Sequence, residues 1–86
     1  MRNLSSELAG RRLRAARALC NLKQDELAVT AGVARDTVSR IERGVIRPHR
    51  ATVAAILRAL EMRNADEAVL AELKQVFTAD ENAQTP

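Results

Sequence analysis

Aromatic residues are almost absent from this chain, with Phe77 standing alone, and there are only two prolines and three glycines. A core without rings must be built from Leu, Ile, Val and Ala. With so few chain-breaking residues, that palette favours a helical bundle. Cys20 is the single cysteine, so an intrachain disulfide framework is excluded and a reducing cytoplasm is the expected setting. No apolar run is long enough to span a bilayer, and no signal peptide is expected before the domain. There is no Ser/His/Asp set, no phosphate-cradling glycine loop and no cluster of metal ligands, so neither catalysis nor a cofactor or metal is expected. His49 is a lone histidine, read as solvated or capping.

What the 86 residues do have is charge, unevenly placed. Residues 1–50 carry eleven Lys/Arg against five Asp/Glu, and residues 51–86 carry three against six. The basic half suits a polyanionic partner. Arginines are also ordinary solvated helix faces, and charge alone does not separate the two.

The pattern within Gln24–Glu42, QDELAVTAGVARDTVSRIE, is more specific. Leu27, Ala28 and Ala31 form the inner stripe of one short helix. Gly32 stands where a left-handed C′ residue is needed, and Val33 plugs the turn. Val38 and Ile41 face inward from a second short helix, whose other side, Arg35, Asp36, Ser39, Arg40 and Arg43, is polar and mostly cationic. Ala28 is small enough for the two helices to cross closely.

Around this core the spacing predicts three further helices. Ser5 or Ser6 is placed to cap a first helix of about 6–20, with Ala9, Leu13, Ala16, Arg17 and Cys20 on one face. Leu22 is turned inward after it. An arginine on an apolar stripe either snorkels to solvent or finds an acid, and Glu42, four residues after Val38, is the candidate. Pro48 is placed to begin a fourth helix with the stripe Val53, Ile56, Leu57 and Leu60. Asn64 and Glu67 have capping-box spacing for a fifth, about 65–77, with Val69, Leu70, Leu73, Val76 and Phe77 as its apolar face. The polar stretch 79–86 is expected to be a disordered tail. The fold class is therefore all-α: one compact five-helix bundle over residues 1–78, with a helix-turn-helix at about 24–43.

Gln24, Ala28, Gly32, Val38 and Ile41, within the run from GRRLRAARALCNLKQDELA to GVARDTVSRIERGVIRP, resemble the Cro and phage-repressor (XRE) helix-turn-helix regulators. The resemblance covers roughly residues 10–60. It implies a regulator that binds a double-stranded DNA operator, with 35–43 as the recognition helix in the major groove. It implies base reading by Arg35, Asp36, Thr37 and Arg40, with Ser39 adding a base or phosphate contact. Asp36 would accept from cytosine or orient Arg40. Gln24 would meet a backbone phosphate and brace the first reading residue. Arg14, Lys23, Arg43, Arg47 and Arg50 would flank the groove as phosphate contacts, and Arg17 and Glu42 would tie the first helix to the third.

This chain departs from the family at two helix starts, where Lys23 and Ala34 replace the usual Ser or Thr caps, and at Arg50, where an apolar residue is common. Family members commonly dimerise through C-terminal helices, which makes Val69, Leu70, Leu73 and Phe77 the expected homodimer contacts; otherwise the fifth helix only closes the monomer core. Small phage or plasmid repressors, antitoxins and restriction–modification controllers all fit this pattern. A module that binds a toxin or RNA polymerase through Asp25, Glu26 or the Phe77 end is the alternative. No membrane and no small-molecule ligand enter either reading.

Overall fold

The computed structural model describes residues 4–82, with side chains over 6–78, and consists of five helices. They are α1 (Leu4–Leu19), α2 (Gln24–Ala31), α3 (Arg35–Glu42), α4 (Arg50–Met62) and α5 (Glu67–Asn82). Helix α1 packs on α3 and α5, α2 packs on α3 and α4, and α4 packs on α5. The short α2–α3 pair is thus backed by longer helices on both sides. Leu13, Ala16, Leu22, Leu27, Ala28, Val38, Ile41, Ile56, Ala59, Leu60 and Leu73 form one continuous aliphatic core.

The first four helices end the same way. Asn21, Gly32, Gly44 and Asn64 each take a positive φ, between 56° and 74°. In each case the next N–H reaches back five residues: Leu22 to Arg17, Val33 to Ala28, Val45 to Arg40 and Ala65 to Leu60, all at 3.0–3.1 Å. These are Schellman closures, which need a residue that tolerates the left-handed region, and glycine and asparagine are the two that do so routinely. The stops at Gly32 and Gly44 keep α2 and α3 to eight residues each.

Several helix ends differ from those read in the sequence. Asn64 does not cap α5; its φ of 65° makes it the closing residue of α4, and the Asp66 carbonyl accepts the first α5 bond, from Leu70 N–H at 3.0 Å. Helix α1 already contains Ser5 and Ser6, so neither caps it. Pro48 precedes α4 rather than opening it, because His49 holds the N-cap position with φ −67° and ψ 159°. Helix α5 continues through 79–82, part of the stretch read as a disordered tail, and 83–86 lie outside the described residues.

Helices α1 and α3 meet at Gly10. A Cβ there would lie 2.4 Å from the Ile41 carbonyl oxygen and 2.6 Å from that of Glu42. Helix α5 is fastened to α1 from the other side, by an Arg12–Glu72 ion pair. Among the described residues no helix is long and apolar enough to cross a membrane.

Candidate nucleic-acid interface

Helix α3 is held by its back. Val38 and Ile41 are buried, and Ala28 on α2 is buried against the same core. The front of α3 is polar: Arg35, Asp36, Arg40 and Arg43 are exposed, with Thr37 and Ser39 half-buried on its flanks. Arg40 Nε lies 3.0 Å from Asp36 Oδ2, one turn away, which sets the direction of the longer side chain. Both groups are more than half exposed, so the pair orients more than it stabilises. Arg43 Nε makes a long bond of 3.4 Å to the Ser39 carbonyl.

Neither α2 nor α3 has a side-chain cap from its N-cap residue, Lys23 or Ala34. Lys23 is extended, with φ −80° and ψ 163°, and its ammonium has no lone pair to offer. The end of α2 borrows its cap instead: the Glu26 carboxylate accepts from Lys23 N–H at 2.8 Å, and Asp25 Oδ1 accepts from Glu26 N–H at 3.0 Å. The spacing of Glu26, three residues after Lys23, was the signal for this in the sequence. At α3 the N–H groups of Thr37 and Val38 both bond the Ala34 carbonyl.

Behind α2 and α3, Arg17 Nε donates to Glu42 Oε2 at 2.6 Å and Nη2 to Oε1 at 3.1 Å. Arg17 Nη1 also donates to the Leu22 carbonyl at 2.8 Å, so one guanidinium ties α1, the α1–α2 turn and α3. The two side chains are 15% and 4% exposed, which excludes a snorkelling arginine. The Glu42 hydrogen bond raises the Arg17 pKa, outweighing the opposite effect of burial. The Arg17 guanidinium therefore stays charged at any ordinary pH. A member that sequence reasoning missed completes the network: the Gln24 amide donates to Glu42 Oε1 at 3.0 Å.

Lys23, Gln24 and Arg35 come together, lining one cleft with Arg17 and Asp25. Arg47 and Arg50 are gathered elsewhere, around a cavity of about 220 Å³ that includes Ile41, Ile46, Val53 and Phe77. Arg14 is exposed on α1 and lines neither. Of the four residues read as dimer contacts, Leu73 must be reassigned: at 1% exposure it is spent in the monomer core, because α5 turns it towards the centre of the bundle. Val69, Leu70 and Phe77 are half-buried against that core. Cys20 is likewise half-buried beside it. Among the described residues, no three His, Cys, Asp or Glu side chains are placed to hold a metal.

A family model described as a helix-turn-helix domain matches residues 8–73. Among solved structures, the clp gene regulator ClgR from C. glutamicum is similar, with a TM-score of 0.68 and 29% identity, covering 90% of this chain and 96% of that one. No curated protein matches the chain.

Proposed function

The chain belongs to the helix-turn-helix domain family, and on that premise we propose that it is a sequence-specific DNA-binding transcriptional regulator. The observation that carries this reading is α3 itself: eight residues, buried on one side by Val38 and Ile41, presenting Arg35, Asp36, Thr37, Ser39 and Arg40 on the others. A helix of that size enters the major groove, where an arginine bonds guanine O6 and N7 together. Arg35 and Arg40 are the principal base readers, and Asp36 orients Arg40. Lys23, Gln24, Arg43, Arg47, Arg50 and Arg14 serve as backbone contacts. These set affinity and its salt dependence rather than sequence preference.

The regulator acts as a homodimer on a pseudo-palindrome, with half-sites one helical turn, roughly 34 Å, apart. With Leu73 committed to the core, the second copy is met by the groove between α4 and α5, lined by Ala54, Leu57, Leu70 and Ala71. Arg58, Glu61 and Lys74 line the same groove, so its rim carries both signs and is open to pairing with a copy of itself. Control of its own promoter follows as the simplest circuit.

The test is a salt titration of binding to DNA upstream of its own gene and to scrambled DNA, for wild type and Arg35→Ala/Arg40→Ala. The double variant is expected to lose the preference and keep weak, salt-dependent binding. Equal binding to both DNAs, unchanged by the substitutions, would remove α3 as the reading element.

One observation favours a second reading. Val29 is 81% exposed on α2, near the exposed Asp25 and Glu26, a surface suited to a protein partner such as a toxin or RNA polymerase. Salt-insensitive binding to a protein, with no operator preference, is its signature.

A further inference from the structure

The single aromatic ring of the chain is packed against the core rather than within it. Half-buried Phe77 forms one wall of the cavity of about 220 Å³ that lies between α1, the end of α3, the start of α4 and α5. Ala9, Ile41, Ile46 and Val53 complete an apolar inner wall. The α3–α4 connection, stiffened by Pro48, brings Arg47, His49 and Arg50 to the same cavity, and all three are exposed, so they stand at its mouth. No carboxylate is among the described residues that line it. Helix α4 also begins here, its N-cap residue supplies no side-chain hydrogen bond, and a helix start adds to the preference for an anion.

Size narrows the class of ligand. An apolar cavity of about 150 Å³ is enough to hold benzene. Pockets for drug-sized molecules run to roughly 300–1,000 Å³, so a nucleotide or a long acyl chain is too large for this one. What fits is one ring or a short branched chain with a small charged head.

We propose that this cavity binds a small carboxylate with an apolar body, about the size of phenylacetate, and that its occupation draws Arg47 and Arg50 away from the DNA backbone. The second half rests on the regulator reading above, in which those two arginines meet phosphate. The body lies against Phe77, Val53 and Ile46, and the carboxylate meets a guanidinium fork, whose planar donors match it. Neither guanidinium is without a partner in the free chain, but each has five N–H donors, so a second anion can join the first. Ligand and DNA then compete, and the effect is mutual: the factor that the ligand takes from DNA affinity, DNA takes from ligand affinity. Phosphate contacts carry no sequence information, so the loss should be equal on operator and scrambled DNA.

Calorimetry on the full chain compares three probes: phenylacetate, benzyl alcohol as the body without the charge, and acetate as the charge without the body. Phenylacetate is expected to bind about tenfold more tightly than either, the scale of one hydrogen bond to a charged group. The side-chain signals of Ile46, Val53 and Phe77 should shift with it. Val53→Phe fills the cavity from its wall and should abolish phenylacetate binding while DNA binding persists, with circular dichroism to show that it is folded. Arg47→Gln/Arg50→Gln, at exposed positions, should reduce phenylacetate to the level of benzyl alcohol. At saturating phenylacetate, against acetate at the same concentration to match ionic strength, DNA affinity should fall about tenfold. The slope of its logarithm against that of salt should flatten by about two, one for each arginine.

Equal binding of phenylacetate and benzyl alcohol, shifts centred elsewhere, or binding that survives in folded Val53→Phe would overturn the site. So would a Val53→Phe variant that alters the monomer–dimer equilibrium while no probe binds wild type, since the cavity would then belong to a second copy. Unchanged DNA affinity and slope at saturation would overturn the competition for Arg47 and Arg50. A wild type that binds no DNA would refute the regulator reading, while calorimetry still decides the site.

Discussion

Replacing Gly10 by alanine sets two effects of opposite sign against each other. Gly10 is inside α1, and in an exposed helix interior Gly→Ala stabilises by about 0.5–1 kcal/mol through helix propensity and a stiffer unfolded chain. Here the added Cβ would sit 2.4 Å from the Ile41 carbonyl oxygen, 2.6 Å from that of Glu42 and 2.9 Å from the Glu42 carbonyl carbon. All three are backbone atoms at the end of α3, so no side chain can swing aside; the helices must separate. Overpacking of this kind costs about 1–3 kcal/mol, and contact with backbone places this site at the upper end. The net expectation is a destabilisation of about 2 kcal/mol, which in a domain of this size lowers Tm by roughly 8–16 °C. Thermal unfolding followed by circular dichroism at 222 nm is sufficient, with urea unfolding to check that the m-value is unchanged. An unchanged or higher Tm would mean that propensity wins and that α1 and α3 are not in contact at Gly10.

Three further outcomes follow from the same geometry. Arg17→Met leaves the Glu42 carboxylate buried with only the Gln24 amide on it, and urea unfolding should register a loss of about 3–5 kcal/mol; Arg17→Met/Glu42→Leu should recover most of it. Because the raised Arg17 pKa keeps this group protonated until strongly alkaline pH, its contribution is complete below that range, and the loss should be the same at pH 6 and pH 8. Asn64→Thr separates two roles for one residue: threonine serves well as an N-cap but badly at a φ of 65°, so a loss of about 1–2 kcal/mol is expected, and neutrality would restore Asn64 as the cap of α5. Lys23→Ser places a hydroxyl at an extended N-cap and should stabilise by about 1 kcal/mol while weakening DNA binding and flattening its salt slope; a gain in both would remove Lys23 from the phosphate contacts.

The fold was legible because its signals are local. Stripes such as Val38–Ile41 and Ile56–Leu60 repeat with the helix, Gly32 marks a turn that few other residues can make, and the charge asymmetry follows from counting. Arg17 announced itself as a charge on an apolar face, and Glu42 as the acid on the inner side of α3. What the sequence left open is where a residue type serves two purposes equally. Asparagine closes one helix and caps another with similar ease, and only the sign of φ at Asn64 separates them. Apolar period shows that Leu73 is buried but not whether its own bundle or a second copy buries it. Gly10 has no period at all, since its importance lies in the backbone of α3, which it meets across some thirty residues of chain. Gln24 is the sharpest case. Its amide is symmetric in outline, and only the buried carboxylate of Glu42, brought to it by the crossing of three helices, decides which end faces the solvent. Periodicity, capping chemistry and charge belong to single segments and are carried by the sequence; the partner of a face and the orientation of a polar group belong to pairs of segments, and exist only once the chain has folded.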